Sequence, residues 1–304
     1  MDIRFDGQTA IVTGSNSQMG VGYYYAKLLA ERGAKVMMVG RSEEKIKAAA
    51  ASLSDLGLDV DYAVADNTDE QALMAVVKKT ADQWGRIDIL INNAGGSDAE
   101  NWPDFTMESI LNIFYVNTFS SMIMMREVWP YMKEQGYGRI INTSSNSSFG
   151  GYSVCGYPIS KAALVGLVKE TSILGAADNI LVNGVYPMAW TQMTNLLPPC
   201  DFAEKLESNY GSELLAPAVV FLCSKENTSY TGEMYSVGGG GYARVQTMAT
   251  DFMACPTLEE TEQTMKAAHA QDVAFKPINS AFEDMVNLGM PVEALQSLFT
   301  RDDV

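Results

Sequence analysis

The fold is decided by residues 9–22, which read Thr9-Ala-Ile-Val-Thr-Gly-Ser-Asn-Ser-Gln-Met-Gly-Val-Gly22. A short apolar run leads into a glycine-rich loop, a helical pattern follows to Arg32, and a second apolar run begins at Lys35. A strand, a glycine-rich turn and a helix open a βαβ unit. Glycines at such a turn let backbone N–H groups at the positive end of the helix approach a pyrophosphate. We predict a dinucleotide site here; the alternative is a tight turn without a ligand.

The alternation of apolar runs and helical patterns continues to about residue 240. Seven runs are predicted to be strands: Thr9–Val12, Lys35–Val39, Val60–Val64, Ile87–Ile91, Arg139–Asn142, Ile180–Val185 and Glu233–Ser236. Predicted helices include Tyr23–Arg32, Glu43–Leu53, Asp69–Gln83 and Lys161–Leu174. Strands that are apolar throughout are buried on both faces. We therefore predict an α/β fold, a doubly wound (Rossmann-type) parallel seven-stranded sheet with helices on both faces.

The last part of the chain has a different character. Residues 251–304 carry 10 acidic and 3 basic side chains. Two capping boxes, Thr257-Leu-Glu-Glu260 and Ser280-Ala-Phe-Glu283, each predict the start of a helix, and a third short helix is predicted at Val292–Phe299. We predict a catalytic domain over residues 1–245 and a C-terminal helical extension over 246–304, packed on the domain or on a partner subunit.

Composition narrows the classes of partner. The 304 residues carry a formal net charge of −16. An acidic surface repels phosphate backbones and anionic lipid, so neither nucleic acid nor a membrane is an expected partner. No apolar run approaches the roughly 18 residues of a membrane span, and no signal peptide is predicted from the first residues.

Cysteine and histidine usage restricts the chemistry. The four cysteines show no metal-type or disulfide-type spacing, which favours a reducing cytoplasm and predicts no metal site. His269 is the single histidine, and it lies in a helical pattern. Any proton transfer is therefore expected from Tyr, Lys, Ser, Asp or Glu.

The end of the second strand predicts the kind of dinucleotide. NAD sites generally place a carboxylate there to bind the ribose 2′-hydroxyl. Here the strand ends Val39-Gly40-Arg41-Ser42. A guanidinium suits a 2′-phosphate because it is a permanently charged, planar donor. We predict NADP(H) in preference to NAD(H), bound by Arg41 and Ser42; the alternative is that Arg41 is only a solvated charge at the start of a helix.

The segment Tyr157-Pro-Ile-Ser-Lys161 predicts acid–base chemistry. Pro158 fits the first turn of a helix, which places Tyr157 and Lys161 at positions i and i+4 on one face. A neighbouring ammonium lowers a phenol's pKa and makes it a usable acid or base. The pattern follows a predicted strand that ends Gly138-Arg-Ile-Ile-Asn-Thr-Ser-Ser145.

Together these motifs resemble the short-chain dehydrogenase/reductase family over roughly residues 5–245. The resemblance rests on seven features in the family's order: the Thr13–Gly22 loop, Asp66, Asn92-Asn-Ala-Gly95, Asn117, Ser144-Ser145, Tyr157-x-x-x-Lys161 and Ile180-Leu-Val-Asn-Gly-Val-Tyr-Pro187. Later segments resemble more closely the (3R)-hydroxyacyl-CoA dehydrogenase part of peroxisomal multifunctional enzymes. This chain departs from them because it lacks their acidic NAD residue, the downstream hydratase domain and a peroxisomal C-terminal tripeptide. The cysteine usage leads us to expect a cytoplasmic protein.

The resemblance implies roles for the catalytic residues. Tyr157 would exchange a proton with the substrate oxygen, and Lys161 would lower the pKa of Tyr157 and hold the nicotinamide ribose. Ser145 would hydrogen-bond the carbonyl as charge develops. Asn117 would anchor a water that links Lys161 to solvent.

The resemblance also implies the cofactor contacts. Asp66, with Asn67 beside it, would lie at the adenine, and Asn93, Ala94 and Gly95 would line the cofactor path. Pro187, Met188 and Thr191 would lie at the nicotinamide. The remaining predicted cofactor residues are those of the loop: Gly14, Ser15, Asn16, Ser17, Gly20, Val21 and Gly22.

Three features depart from the family pattern. The glycine loop is two residues longer, which makes Ser15–Met19 an extended flap over the phosphates with extra hydroxyl and amide donors. Ser145 is one residue closer to Tyr157 than usual; Ser144 restores the spacing, whereas strand register favours Ser145. Met188 replaces the usual glycine and would crowd the nicotinamide side.

The loops that flank these motifs predict the substrate. Their candidate pocket residues are Ser97, Trp102, Phe149, Tyr152, Tyr186, Trp190 and Met193. Aromatic and thioether groups favour a bulky apolar molecule, although some of these residues could equally be core or interface. We predict an NADPH-dependent enzyme that interconverts a ketone and a secondary alcohol on a polycyclic or aromatic substrate, such as a steroid or flavonoid. The alternatives are a 3-oxoacyl/3-hydroxyacyl-CoA dehydrogenase and a catalytically silent NADP(H)-binding protein. Family habit implies a homodimer or homotetramer.

Overall fold

The computed structural model describes residues 2–97, 101–151, 154–196, 199–251, 253, 257–270, 273–288 and 292. Its contacts divide the chain into two compact units, Met1–Arg244 and Val245–Val304. Within the described ranges, no helix is both long enough and apolar enough to cross a membrane.

Eight strands form the main sheet, in the order β3-β2-β1-β4-β5-β6-β7-β8. Their bounds are Thr9–Thr13 (β1), Lys35–Gly40 (β2), Val60–Val64 (β3), Ile89–Asn92 (β4), Gly138–Thr143 (β5), Ile180–Met188 (β6), Met234–Gly238 (β7) and Gly241–Val245 (β8). Strands β1 to β7 pair in parallel. The doubly wound sheet predicted from the alternation is confirmed.

The eighth strand was not predicted, because the glycine run beyond residue 237 resembles the end of a domain. The structure makes it a hairpin. Gly239 and Gly240 have φ angles of +56° and +77°, and they form the two-residue turn between β7 and β8. Two consecutive residues with positive φ match the turn type that joins antiparallel strands, and glycine adopts it without strain.

Eight helices accompany the sheet in the described part of the first unit. Their bounds are Val21–Glu31 (α1), Glu43–Ser54 (α2), Glu70–Trp84 (α3), Met107–Phe114 (α4), Ser120–Gln135 (α5), Gly156–Gly175 (α6), Asp201–Asn209 (α7) and Ala216–Leu222 (α8). A π-helical turn, Tyr115–Phe119, joins α4 to α5. The four predicted helices correspond to α1, α2, α3 and α6, and α6 begins before Tyr157, so the tyrosine and Lys161 share its first two turns.

The strand order places the functional region. The chain moves outward in one direction from β1 through β2 and β3, then returns to β4 on the other side of β1. In such sheets the carboxyl ends of the two strands at the reversal border a crevice in which ligands bind. Here β1 runs into the glycine-rich loop and β4 into Asn93–Gly96. Both strands are fully buried, which makes them a rigid base for these loops.

The second unit contains the two helices that its capping boxes predict. Helix α9 spans Leu258–Ala268 and α10 spans Ala281–Asn287. The backbone N–H of Glu260 donates to Thr257 Oγ1 at 3.4 Å, and that of Glu283 donates to Ser280 Oγ at 3.2 Å. A short antiparallel pair, Met248–Thr250 (β9) with Phe275–Pro277 (β10), accompanies them. The third predicted helix, apart from Val292, lies outside the described residues.

Candidate active site

The glycine-rich loop lies against the segment that follows β4. Gly14 has a φ angle of +66°, and a Cβ added to it would lie 2.7 Å from the Cα of Ala94. A Cβ added to Gly22 would lie 2.6 Å from the carbonyl oxygen of Gly14. Neither space accepts a side chain, so the loop folds closely over the start of α1. The N–H groups of a helix's first turn lack partners within the helix, so this cradle can hold an anion.

Side chains fix the same two loops to each other. Thr13 Oγ1 accepts hydrogen bonds from the backbone N–H groups of Asn93 and Ala94, both at 3.0 Å. Asn93 Nδ2 donates to the carbonyl oxygens of Thr13 and Gly14, both at 3.1 Å. The Asn93 amide therefore shapes the predicted cofactor path by holding its walls together. Thr13 was not predicted as a site residue, although it directly precedes the first glycine of the loop.

The flap residues bond mainly within the protein. The buried Ser15 hydroxyl donates to the carbonyl of Val12 at 2.9 Å and accepts from the N–H of Val39 at 3.1 Å. Ser17 Oγ accepts from the N–H of Met19 at 3.2 Å. Asn16 packs against Gly40, where an added Cβ would lie 2.8 Å from the Cβ of Asn16. The Ser15 hydroxyl thus joins β1 to β2, while the backbone of the flap lines the anion cradle.

Polar residues after β2 and β3 form the predicted adenine end. Asp66 Oδ1 accepts from the N–H and the hydroxyl of Thr68, at 2.9 and 2.7 Å. These two hydrogen bonds lower the pKa of the Asp66 carboxyl, and the positive charge of Arg41 lowers it further by a smaller amount. Arg41 is exposed, and Ser42 caps α2 by accepting from the N–H of Lys45 at 3.5 Å. The Asp66 carboxylate and the exposed Arg41 guanidinium therefore lie at the same end of the crevice.

Asn67 turns away from that end. Its Nδ2 donates to the carbonyl of Val116 at 2.8 Å and to Ser120 Oγ at 3.1 Å. Both partners belong to the π-helical turn or the residue directly after it. The side chain predicted to lie beside the adenine thus supports the turn that carries Asn117.

Helix α6 delivers Tyr157 and Lys161 to the carboxyl ends of β4 and β5. Lys161 Nζ donates to the carbonyl of Thr143 at 2.8 Å and lies 5.9 Å from the ring centre of Tyr157. Lys161 is only 3% exposed. Burial disfavours its charged form and lowers the pKa of Lys161 to about 8. The ammonium is thus close to the tyrosine and titrates nearer to neutrality than an exposed lysine.

Asn117 joins three segments of chain at this point. Its Oδ1 accepts from the N–H of Gly96 at 2.8 Å, and its Nδ2 donates to the carbonyl of Gly96 and to Ser160 Oγ, both at 3.0 Å. A Cβ added to Gly95 would lie 3.0 Å from Asn117 Oδ1 and 3.1 Å from Lys161 Nζ. The predicted catalytic residues Asn117 and Lys161 are therefore brought together over one glycine. Ser160, which sequence reasoning missed, lies inside the quoted tyrosine–lysine motif.

The two candidate serines differ in their surroundings. Ser144 is 2% exposed, and its Oγ donates to the carbonyl of Lys161 at 2.7 Å. Ser145 is 9% exposed, and its Oγ accepts from the N–H of Ser147 at 3.2 Å. Ser144 thus points into the packing between β5 and α6, whereas Ser145 lies closer to the surface of the crevice.

Of the predicted pocket residues that the structure describes, Tyr186 lies within β6 and the others lie in the loops after β4, β5 and β6. Phe149 is 60% exposed, and its ring centre lies 4.8 Å from that of the buried Tyr186. Trp102 is 72% exposed and stacks on Phe105 at 5.4 Å. Ser97 and Met193 are exposed and Trp190 is half-buried. Tyr152 lies outside the described residues.

Residues at the end of β6 make close backbone contacts. Pro187 and Met188 complete the strand, and a Cβ added to Gly238 of β7 would lie 2.7 Å from the carbonyl of Met188. Thr191 Oγ1 accepts from the N–H groups of Met193 and Thr194, at 3.2 and 3.3 Å. These bonds hold the loop after β6 in a compact turn.

The chain resembles known proteins over most of its length. Residues 8–199 match the family model described as short chain dehydrogenase. Peroxisomal multifunctional enzyme type 2 of Mus musculus is 32% identical over 254 residues, which are 80% of this chain and 33% of the mouse protein. The 3alpha-hydroxysteroid dehydrogenase of Mediterraneibacter gnavus is 33% identical over 248 residues, which are 79% of this chain and 98% of that enzyme.

A solved structure shows the same likeness in three dimensions. Full-length peroxisomal multifunctional enzyme type 2 from Drosophila melanogaster superposes with a TM-score of 0.78 at 26% sequence identity, covering 97% of this chain and 51% of that chain. The match to the fungal and mouse multifunctional enzymes covers between 27% and 33% of their length.

Proposed function

The chain belongs to the short-chain dehydrogenase family and is an oxidoreductase of hydroxyl and keto groups, and from that premise we propose that it uses NADP(H) to interconvert a ketone and a secondary alcohol on a bulky, largely apolar small molecule. The observation that carries the proposal is the convergence of Tyr157, Lys161 and Asn117 at the carboxyl edge of the sheet, beside a glycine cradle that fits a dinucleotide pyrophosphate.

The residues present fit a dinucleotide. The loop backbone at the start of α1 would hold the pyrophosphate, because Gly14 and Gly22 let this loop fold closely against Ala94 and the first turn of the helix. Arg41 and Asp66 would face the adenosine end, and Lys161 would hold the nicotinamide ribose. When bound, the nicotinamide supplies or accepts the hydride.

The side chains supply the proton chemistry. In reduction, the Tyr157 O–H donates its proton to the substrate oxygen as negative charge develops there. The Lys161 ammonium favours the phenolate that remains, and the Ser145 hydroxyl donates a hydrogen bond to the same substrate oxygen. Asn117 holds Gly96 and Ser160 in place, so the tyrosine helix and the β4 loop keep their spacing.

The loops around the crevice favour an uncharged substrate. The described residues of the loops after β4, β5 and β6, which are 93–97, 101–106, 144–151, 154–155, 189–196 and 199–200, contain no Lys or Arg and one carboxylate, Asp104. The phosphates of coenzyme A need cationic or N–H partners, and nearby carboxylates repel them. The exposed rings of Trp102 and Phe149 offer apolar contact instead. A polycyclic or aromatic ketone therefore fits better than an acyl-CoA.

The acyl-CoA reading is the second candidate. It is supported by the identity to two fungal multifunctional enzymes whose names include a dehydrogenase activity, although this chain spans only 27% of their length. NADPH oxidation with a panel of ketones distinguishes the two substrate hypotheses from each other and from a catalytically silent NADP(H)-binding protein.

The first test is NADPH oxidation with steroid, flavonoid and 3-oxoacyl-CoA ketones, each with wild type and Tyr157→Phe. We expect turnover of a polycyclic or aromatic ketone and a loss of about 10²-fold or more in the variant, the scale of general acid catalysis. NADPH affinity should remain, since the ring is kept. A rate that survives in Tyr157→Phe would contradict the catalytic assignment, and NADPH binding without turnover on any ketone would favour the silent protein.

The cofactor preference rests on Arg41. Its exposed guanidinium stands at the end of β2, where it would pair with a 2′-phosphate. We expect Arg41→Ala to lower the ratio of kcat/KM for NADPH to that for NADH by about tenfold, the loss of one charge-assisted contact. Lys47→Ala, an exposed cation further along α2, is the control. An unchanged ratio would leave Arg41 as a solvated charge.

We also propose a homo-oligomer in the cytoplasm. Exposed apolar side chains recur along α4, the π-helical turn and α5, at Met107, Leu111, Tyr115 and Met122, and a second copy would cover them. The cysteine spacing supports a reducing compartment, whereas the matched multifunctional enzymes are named as peroxisomal. Fluorescence microscopy of the tagged protein would separate the two locations.

A further inference from the structure

Ser212 belongs to none of the predicted sequence motifs, yet it forms hydrogen bonds with two loops of the candidate site. It is 3% exposed and begins the short 3₁₀ turn Ser212–Leu215 that precedes α8. Its Oγ lies 2.8 Å from the carbonyl oxygen of Met19 and 2.8 Å from that of Trp190. Met19 belongs to the extended glycine loop, and Trp190 belongs to the loop after β6.

The chemistry of this contact makes the hydroxyl a bridge. A serine hydroxyl carries one proton, and a carbonyl oxygen can only accept. Ser212 therefore either shares its proton between the two carbonyls or donates to one of them at a time. The geometry allows both, because the two distances are equal and both are ordinary for a hydroxyl donor.

Further bonds make both ends of the bridge stiff. The carbonyl of Met19 and the N–H of Gly20 belong to one planar peptide group, and the N–H of Gly20 donates to the carbonyl of Ser17 at 2.8 Å. On the other side, the N–H of Trp190 donates to the carbonyl of Tyr210 at 2.7 Å. A movement of the Met19–Gly20 peptide thus reaches Trp190 through a single side chain.

The Met19–Gly20 peptide belongs to the loop that would hold the dinucleotide pyrophosphate. Gly20 is the N-cap residue of α1, and the flap before it is two residues longer than the family pattern. A longer loop has more conformations and costs more entropy to order. The partly buried hydrogen bond from Ser212 to the carbonyl of Met19 restricts the end of that flap.

We propose that Ser212 is a positioning residue that couples the phosphate-binding loop to the substrate loop, so that a dinucleotide pyrophosphate on the first loop orders the second. The inference rests on the proposed function, in which the glycine loop holds the pyrophosphate and Trp190 borders the substrate. It predicts that cofactor binding prepares the ketone site before the ketone arrives.

The test is amide hydrogen exchange of wild type, Ser212→Ala and Ser212→Thr with 2′-phospho-ADP-ribose and with ADP-ribose. Both probes contain the pyrophosphate and lack the nicotinamide, so neither can reach segment 189–196 through that ring. We expect exchange in segments 14–20 and 189–196 to slow in wild type and in Ser212→Thr, which keeps the hydroxyl. In Ser212→Ala only segment 14–20 should slow. Ser208→Ala removes an exposed hydroxyl of α7 and serves as the control.

Kinetics give a second readout. We expect Ser212→Ala to raise KM for the ketone about two- to tenfold, the range of one hydrogen bond, while the affinity for the probes changes less. Equal slowing of segment 189–196 in wild type and Ser212→Ala would overturn the coupling, and so would slowing of segment 14–20 alone in wild type. If segment 14–20 does not slow in wild type, the pyrophosphate site fails, and the coupling fails with it.

Discussion

A single buried ammonium shows how the fold tunes the chemistry of one residue. Lys161 donates to the carbonyl of Thr143 and stands within reach of Tyr157, and both the sheet and α6 exclude water from it. Removal from water disfavours the charged form, so the pKa falls to about 8 from an ordinary value near 10.5. In the proposed mechanism the cation beside the phenol offsets this cost by favouring the phenolate.

That cost predicts a pH-dependent stability. Below about pH 8 Lys161 is charged in both states, and its burial penalises the folded state by about 3 kcal/mol. Between pH 8 and 10.5 the unfolded state binds more protons, so this penalty disappears as pH rises. We expect the unfolding free energy of Lys161→Met, relative to wild type, to fall by about 3 kcal/mol across that window.

Urea unfolding of the cofactor-free proteins measures this difference. Lys47→Met is the matched control, because the exposed Lys47 ammonium keeps its water when the chain folds. A difference between Lys161→Met and wild type that stays constant from pH 7 to pH 10.5 would show that burial does not perturb Lys161.

The two serines after β5 give the second prediction at this scale. Ser145→Ala should lower kcat by about 10²-fold or more, since it removes a donor to the developing oxyanion. Ser144→Ala should lower kcat by less than about tenfold and cost about 1 kcal/mol of stability, because Ser144 bonds the Lys161 carbonyl. Kinetics and urea unfolding of both variants decide the matter; the reverse pattern would make Ser144 the catalytic serine.

At the scale of elements, the site depends on close approach between a loop and a helix. Gly22 lies inside α1, yet a Cβ there would meet the carbonyl of Gly14 at 2.6 Å. Gly166 lies inside α6, and nothing would stand within 4 Å of its Cβ. The two helical glycines thus differ in their effect. Gly22 leaves room for the loop that packs against α1, whereas Gly166 makes no close contact and only lowers the stability of α6.

These glycines predict opposite effects of one substitution. Gly22→Ala should cost about 1–3 kcal/mol by overpacking and should weaken NADPH binding. Gly166→Ala should stabilise the protein by up to about 1 kcal/mol, the difference in helix propensity, and leave NADPH affinity unchanged. Thermal unfolding and fluorescence titration measure both. A Gly22→Ala protein with wild-type stability and affinity would contradict the tight cradle.

For the whole molecule, the exposed apolar face that runs from α4 to α5 is the proposed contact surface of the homo-oligomer. Met107, Leu111 and Tyr115 follow one another at intervals of four residues, which puts them on one side of the helix. Their exposed fractions lie between 47% and 62%, which is a large apolar surface to leave in water.

This face predicts that one charge will dissociate the oligomer. Wild type should elute at a multiple of its 33.1 kDa monomer mass, and Leu111→Glu should shift toward the monomer. Leu56→Glu, at a 63% exposed leucine beyond α2, is the control and should leave the mass unchanged. Size-exclusion chromatography with light scattering measures all three. A monomeric wild type would remove the proposed oligomer.

Seven strands of the main sheet and four of its helices could be predicted from the sequence alone, as could the proposed roles of the tyrosine, the lysine and the glycine loop. Apolar periodicity, capping boxes and glycine turns are written in neighbouring residues, so they are visible before folding. The additional strand β8 was missed because Gly239–Gly240 serves equally well as a linker or a turn, and only pairing with β7 distinguishes the two.

The pairing of hydrogen-bond donors with acceptors could not be predicted from the sequence, because it depends on how the folded elements pack. The tertiary structure turned Asn67 toward the π-helical turn, set Ser144 against α6, and brought Ser212 to the carbonyl of Met19 across 193 residues of sequence. A hydroxyl or an amide has the same local preferences with any partner. Its role therefore depends on packing between elements that are distant in the chain, and the sequence does not display that packing.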